Sequence, residues 1–74
     1  MISEKFKEGF RRMNEYAWRD KGYADVKAIV VDGRVDYVND PQILELLSQG
    51  WQVMDENMFG QGLEDVATVV VFVK

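Results

Sequence analysis

The last strand-like stretch constrains the fold more than any other part of the chain. Residues 66–74 read Val-Ala-Thr-Val-Val-Val-Phe-Val-Lys, which is apolar at both alternating sets of positions. Successive side chains of a strand point to opposite faces of a sheet. A strand that is apolar on both faces is typical of the centre of a sheet that is covered on both sides. The stretch therefore predicts a central strand.

A second informative stretch precedes it and predicts a short amphipathic helix over residues 41–49. Asp40 is a good N-cap, and Pro41 suits the first helical position, where its missing N–H costs nothing. Gly50 can adopt the left-handed conformation that ends a helix. Trp51 follows at once, and we interpret it as a core anchor at the corner between helix and strand.

The N-terminal part predicts a longer helix over residues 3–20, which Ser3 can cap. Its apolar residues recur at helical spacing and predict one core-facing stripe: Ile2, Phe6, Phe10, Met13 and Ala17. Gly9 weakens the middle of this helix by about 1 kcal/mol relative to alanine. A glycine at this position indicates close approach of another backbone.

Strands are predicted at residues 23–31, 34–39, 51–58 and 66–74, with a loop at residues 59–65. The pair Asp32-Gly33 is a strong signal for a two-residue hairpin turn between the first two strands. This register predicts one apolar face made of Val26, Ala28, Val30, Val35 and Tyr37. The chain is therefore predicted to be a single α+β domain over residues 1–74. Its order is α-β-β-α-β-β, with two helices and a mostly antiparallel four-stranded sheet.

The position of the two helices decides whether the sheet needs a partner. If both lie on one face, Ile29, Val31, Val38 and alternate residues of the last strand form an exposed apolar surface. If they lie on opposite faces, a monomer is possible. An exposed strand this apolar is an aggregation hazard, so we favour a homodimer through a sheet face.

Composition excludes several classes of function. The chain has no histidine and no cysteine, which removes the commonest general base and the usual zinc ligands. Its net charge of −4 argues against direct nucleic-acid binding. It contains no membrane-spanning run and no signal-peptide core, so we expect a cytoplasmic protein. We expect no enzyme activity, no cofactor and no metal site.

Trp18 is the strongest candidate for a contact residue. On a helical wheel it lies over Lys7, Arg11 and Asn14, away from the apolar stripe. Tryptophan and arginine are enriched at interface hot spots. The alternative, equally open, is that Trp18 folds back over the edge of the core. The full set of predicted binding residues is Trp18, Arg11, Lys7, Asn14, Arg19, Tyr23 and Arg34.

The C-terminal half resembles a known family. The segment Ile-Leu-Glu-Leu-Leu-Ser-Gln-Gly-Trp-Gln-Val at residues 43–53, followed by a loop and an apolar last strand, is similar to the domain-of-unknown-function family 4177 and to similar small bacterial and phage domains. The resemblance covers residues 41–74. It implies a compact α+β domain and carries no catalytic residue.

Two functions remain in view. The first is a small protein-interaction module, an accessory product of a phage or mobile element that modulates a host protein complex, including a defence complex. Its acidic charge would steer it towards a basic partner surface. The alternative is an oligomer that binds a nucleotide-like small molecule. Its stacking and anion-pairing groups would be Trp18, Arg11, Arg12, Arg19, Tyr23 and Arg34.

Overall fold

A computed structural model describes residues 2–62 and 65–74 of the chain. The predicted α+β class is confirmed. The elements are α1 (Glu4–Asp20), β1 (Val26–Asp32), α2 (Pro41–Ser48), β2 (Gln52–Gln61) and β3 (Asp65–Val73).

The last strand lies at the centre of the sheet, as its apolar pattern predicts. The strand order is β1-β3-β2, and β3 is antiparallel to both neighbours. Seven consecutive residues of β3, from Ala67 to Val73, are buried. The described residues form three strands, so the predicted four-stranded sheet and the order α-β-β-α-β-β are wrong.

Residues 34–39, predicted as a returning strand, form a turn instead. A two-residue hairpin of the expected type needs positive φ at both central positions. Gly33 has a φ of 73°, but Asp32 does not have positive φ. The N–H of Gly33 donates to the carbonyl of Val66 at 2.8 Å, which continues the pairing of β1 with β3. The Asp36 carboxylate then accepts backbone N–H groups from Val38 and Asn39, which closes a turn ahead of α2.

The two helices lie on opposite faces of the sheet. The first face, which we define by Val26, Ala28, Val69, Val71 and Val73, packs against Phe10 and Trp18 of α1. The second face, defined by Ile29, Val70 and Phe72, packs against Ile43 and Leu46 of α2. Each face thus has its own small core, and β3 contributes to both.

This arrangement changes two expectations. Val35 and Tyr37 pack on the second face, so their predicted place beside Val26, Ala28 and Val30 is wrong. Ile29 is 4% exposed because α2 covers it within one chain. Ile29, Val31 and the β3 residues of the predicted dimer surface are therefore covered within the chain, whereas Val38 is 75% exposed. The homodimer itself stays a prediction.

The local signals around α2 are confirmed. The Asp40 carboxylate accepts hydrogen bonds from the N–H groups of Gln42 and Ile43, and Gly50 takes a φ of 94° after the last turn. Trp51 is partly buried against the core of the second face, and its backbone N–H donates to the carbonyl of Leu46 at 3.1 Å. Trp51 is therefore the corner anchor that the sequence predicts.

The second hairpin is longer than predicted. β2 runs to Gln61 and pairs with β3 up to Asp65, so most of the predicted loop at residues 59–65 belongs to the strands. Leu63 and Glu64 lie outside the described residues. A register shift between Val53 and Asp55 marks a bulge in β2.

Candidate functional site

Helix α1 does not bury the stripe that its sequence periodicity predicts. Phe10 packs against the first face, but Phe6 is 57% exposed and Met13 is 67% exposed. Tyr16, on the same outer side, is 73% exposed. None of the residues of α1 falls in the fully buried class. The predicted core stripe is therefore wrong for Phe6, Met13 and the exposed Ala17.

The side of α1 that faces the sheet is instead largely polar. Lys7 bonds to Asp32 at the end of β1, with 2.9 Å between Nζ and Oδ1. The Glu15 carboxylate accepts the N–H of Ala28 at 3.2 Å, and Arg19 donates to the carbonyl of Val26 at 3.2 Å. Glu15 and Arg19 thus satisfy backbone groups of the edge strand β1, and Lys7 pairs with a side chain at the end of that strand. The polar residues on the side of α1 that faces the sheet therefore have a structural role.

The outward side of α1 carries a regular apolar row. We define the outer row as Phe6, Gly9, Met13 and Tyr16, which are spaced three, four and three residues apart. This spacing keeps the residues on one side of a helix. All four are exposed. An added Cβ at Gly9 would meet nothing within 4 Å, so Gly9 leaves a shallow gap in the middle of the row.

An aromatic cluster fixes the N-terminal end of the outer row above β2. The rings of Phe10 and Phe59 stack with 4.2 Å between their centroids. Phe6 approaches Phe59 at 5.9 Å, although more than half of its surface stays exposed. These ring contacts anchor this end of the outer row on the sheet.

Trp18 has a packing role. It contacts the core of the first face, and its ring lies 5.6 Å from that of Tyr23. The ammonium of Lys21 lies 4.0 Å above the Trp18 ring. Of the two alternatives for Trp18, the geometry favours the one in which it folds over the edge of the core. Its contact role, like that of Tyr23, stays a prediction.

The predicted cationic residues of α1 already have partners within the chain. Arg11 pairs with Glu8 at 2.5 Å and with Glu15 at 2.8 Å. The hydrogen bond from Arg11 is the main reason why the pKa of Glu8 is lowered to about 2. Asn14 donates to the carbonyl of Phe10 within the helix. Arg34, the remaining predicted residue, is exposed in the bend that follows β1.

The structure brings Lys7 and Arg11 together in one groove of about 490 Å³ along the outer edge of β1. The charged residues that line it are Glu4, Glu8, Asp32, Lys7, Arg11 and Lys27. Three carboxylates thus face three cations, and Lys7 bonds to two of the carboxylates. Hydrogen bonds from Lys7 to Glu4 and Asp32 raise the pKa of Lys7. A groove with this balance offers little net attraction to a phosphate.

Within residues 2–62 and 65–74, no group of three or more carboxylates is placed to hold a metal ion. Neither helix in the same ranges is long and apolar enough to cross a membrane.

The outer row was not among the binding residues predicted from the sequence. Ile2, Phe6, Gly9, Met13 and Tyr16 alternate in spacing by four and three residues, and that regularity is visible in the chain. It indicates an apolar helix face but does not say whether the domain itself or another molecule covers it. The packing of Trp18 and Lys7 against β1 decides this, and neither contact can be read from periodicity.

No protein-family model, no curated protein and no solved structure matches the chain. These comparisons do not bear on the resemblance of residues 41–74 to the family 4177, which stays a prediction.

Proposed function

We propose that this chain is a small, non-catalytic protein-interaction module that docks on its partner through the outer row of α1. The observation that carries the proposal is the exposure of Phe6, Met13 and Tyr16 at 57%, 67% and 73%. These residues form one continuous helix face, whereas scattered exposed apolar residues need no explanation. Aromatic residues and methionine are also the types that are enriched at protein interfaces.

The packing of the N-terminal end of the row supports the same proposal. A preformed surface loses less conformational entropy on binding than a mobile one. Ser3 caps α1 by accepting the N–H of Phe6 at 3.1 Å, and stacking between Phe10 and Phe59 holds this end over β2. A partner would meet an ordered helix face and would not need to order it.

The wider biological role remains part of the proposal. A chain of 74 residues with a net charge of −4 fits an accessory product of a phage or mobile element that modulates a host protein complex, including a defence complex. Its overall negative charge would speed encounter with a basic partner. A plaquing assay in cells that carry an active defence complex, with and without this chain, tests that role.

The nucleotide-binding alternative has less support. Its cations Arg11 and Arg19 both pair with Glu15, whose side chain is only 16% exposed. Trp18, its main stacking residue, packs against the core of the first face. Phosphate recognition would require these groups to exchange existing partners.

Affinity capture with a matched pair of variants tests the interaction proposal. Met13→Glu places a charge in the middle of the outer row, and Val38→Glu places the same charge at an apolar residue that is 75% exposed elsewhere. We expect the wild type and Val38→Glu to retain the same partner, and Met13→Glu to lose it. Equal retention by both variants, with unchanged circular dichroism, would contradict docking through the outer row.

A further inference from the structure

The proposed interaction can be narrowed to one kind of partner, and this inference rests on the proposed function. We propose that the outer row receives a single amphipathic helix of the partner protein, which carries acidic residues beside its apolar stripe. The spacing of the row, the gap at Gly9 and the charge beside the row each support this occupant.

The spacing of the outer row is that of a helix–helix seam. Phe6, Gly9, Met13 and Tyr16 alternate by three and four residues, the repeat that packs knobs into holes between helices. From Phe6 to Tyr16 the row covers about 15 Å along the axis, at 1.5 Å per residue. A partner helix of two to three turns matches this length.

Gly9 supplies a hole in the seam. A glycine inside a helix destabilises it by about 1 kcal/mol relative to alanine. None of the residues that the structure describes uses the missing side chain, because an added Cβ would meet none of them within 4 Å. A knob from a partner helix would fill the gap between Phe6 and Met13 and would bring the two backbones closer together.

One flank of the outer row is basic, although the whole chain is acidic. Lys5, Arg12 and Arg19 recur every seven residues, so they share one side of the helix. That side lies across the row from Phe10, which stacks on Phe59 of β2.

The side chains of Arg12 and Arg19 are 75% and 54% exposed. The Arg12–Glu8 pair is exposed on both sides, since Glu8 is 47% exposed, and such a pair is weak enough to rearrange. Arg19 keeps its bonds to Glu15 and to the carbonyl of Val26 and adds its positive charge to the flank. Acidic residues on a partner helix would complement this flank.

The same flank disfavours a second copy of this chain as the occupant. An antiparallel pair of α1 helices would place Phe6 opposite Tyr16 and Gly9 opposite Met13, which suits their sizes. It would also bring Arg12 against its own copy and Lys5 against Arg19. Like charges at these flanking positions destabilise a helix pair and set partner choice. A parallel pair would leave two Gly9 gaps facing each other.

Two designed peptides test the inference directly. Both are fluorescein-labelled three-heptad helices with leucine at the seam positions, and their flanking positions carry glutamate in one and lysine in the other. Fluorescence anisotropy measures their binding to the full chain. We expect the glutamate peptide to bind about tenfold more tightly than the lysine peptide at low salt. We expect Met13→Glu to remove binding of both.

Charge reversal and filling of the gap sharpen the test. The double variant Lys5→Glu, Arg12→Glu should reverse the preference towards the lysine peptide. Gly9→Ala should raise the melting temperature yet weaken binding of the glutamate peptide several-fold, because the added methyl group occupies the hole. If the apolar surface bound peptides without specificity, the double variant would not reverse the preference and Gly9→Ala would not weaken binding.

Three results would overturn the inference. They are absence of binding by both peptides, equal affinity for the two, and a dimer in light scattering that Met13→Glu dissociates. The last would identify a second copy as the occupant. If partner capture in cells still depends on Met13 while the two peptides bind equally, the proposed function stands and the acidic-helix inference falls.

Discussion

The Phe10 ring stacks on the Phe59 ring with 4.2 Å between centroids and 25° between planes. Helix α1 otherwise packs mainly on β1 and β3, so this contact ties the helix to β2, the strand that contains Phe59. Phe6 extends the cluster and lies 5.9 Å from Phe59. The cluster therefore fixes how α1 crosses the first face and which residues it leaves exposed.

Phe59→Ala is expected to lower the free energy of unfolding by about 2 kcal/mol, since a partly buried aromatic ring is lost from the cluster. Urea denaturation followed by circular dichroism measures the loss. Phe6→Ala is the matched control, because that ring is 57% exposed, and its cost should stay below about 1 kcal/mol. Equal losses for the two variants would mean that Phe59 does not position α1.

The elements that could be predicted from sequence depend on local chemistry. Ser3 and Asp40 cap the two helices, and Gly50 ends α2, because side-chain and backbone geometry within a few residues decides these features. The two-sided apolar pattern of β3 likewise predicts its central place. The resulting α+β class needs no knowledge of tertiary contacts.

The failures arise where a strand edge competes with a local pattern. Gly33 donates a hydrogen bond to the carbonyl of Val66, which extends the pairing of β1 with β3. The edge of β1 that faces β3 is therefore occupied, and residues 34–39 cannot pair there. Asp36 then stabilises a turn, and its hydrogen bonds with Asn39 and Val38 lower its pKa. An Asp-Gly pair indicates a turn correctly but cannot say which strand follows it in space.

The orientation of α1 fails for a related reason. Periodicity distinguishes the polar side of a helix from its apolar side. It does not reveal that backbone groups of the edge strand β1 bond to Glu15 and Arg19. Those contacts turn part of the polar side towards the sheet. The candidate site therefore emerges only when the helix is seen packed: the residues predicted as core line the surface, and Trp18 lies against the core.

Trp18→Ala is expected to lower the free energy of unfolding by about 2–3 kcal/mol, because the indole packs against the core of the first face. Trp18→Phe keeps part of that contact and should cost about half as much. Thermal unfolding of both variants measures the effect. If Trp18→Ala unfolds like the wild type but no longer captures the partner, the residue is a contact residue after all.

Gly60→Ala is expected to destabilise the second hairpin by more than about 2 kcal/mol. Gly60 has a φ of 149°, and an added Cβ would clash with the carbonyl oxygen of Asp65. Gly62→Ala is the matched control, because its φ is also positive at 79° but a Cβ there meets none of the described residues within 4 Å. Its cost should be limited to backbone strain, about 1 kcal/mol. Denaturant midpoints that coincide for the two variants would contradict the steric argument.

Ionisation of Tyr37 is expected to lower the free energy of unfolding between pH 10 and about 12. Burial, followed by a hydrogen bond from its hydroxyl to Glu56 at 2.9 Å, raises the pKa of Tyr37 from 10.0 to about 12. Because the folded pKa lies above the unfolded value, this contribution is fully present below pH 10. It is lost between pH 10 and about 12, where the unfolded chain releases the proton and the folded chain still holds it.

Tyr37→Phe isolates this effect. The variant keeps the ring against the second face but has no ionisable hydroxyl, so the wild type should lose on the order of 1 kcal/mol more than the variant across this pH window. The pKa of Lys7 is also raised, and its ion pairs with Glu4 and Asp32 weaken in the same range. They weaken equally in both proteins, so the difference between the two urea titrations reports Tyr37 alone. Parallel stability profiles from pH 9 to pH 12 would show that the hydroxyl does not hold its proton more tightly in the folded chain.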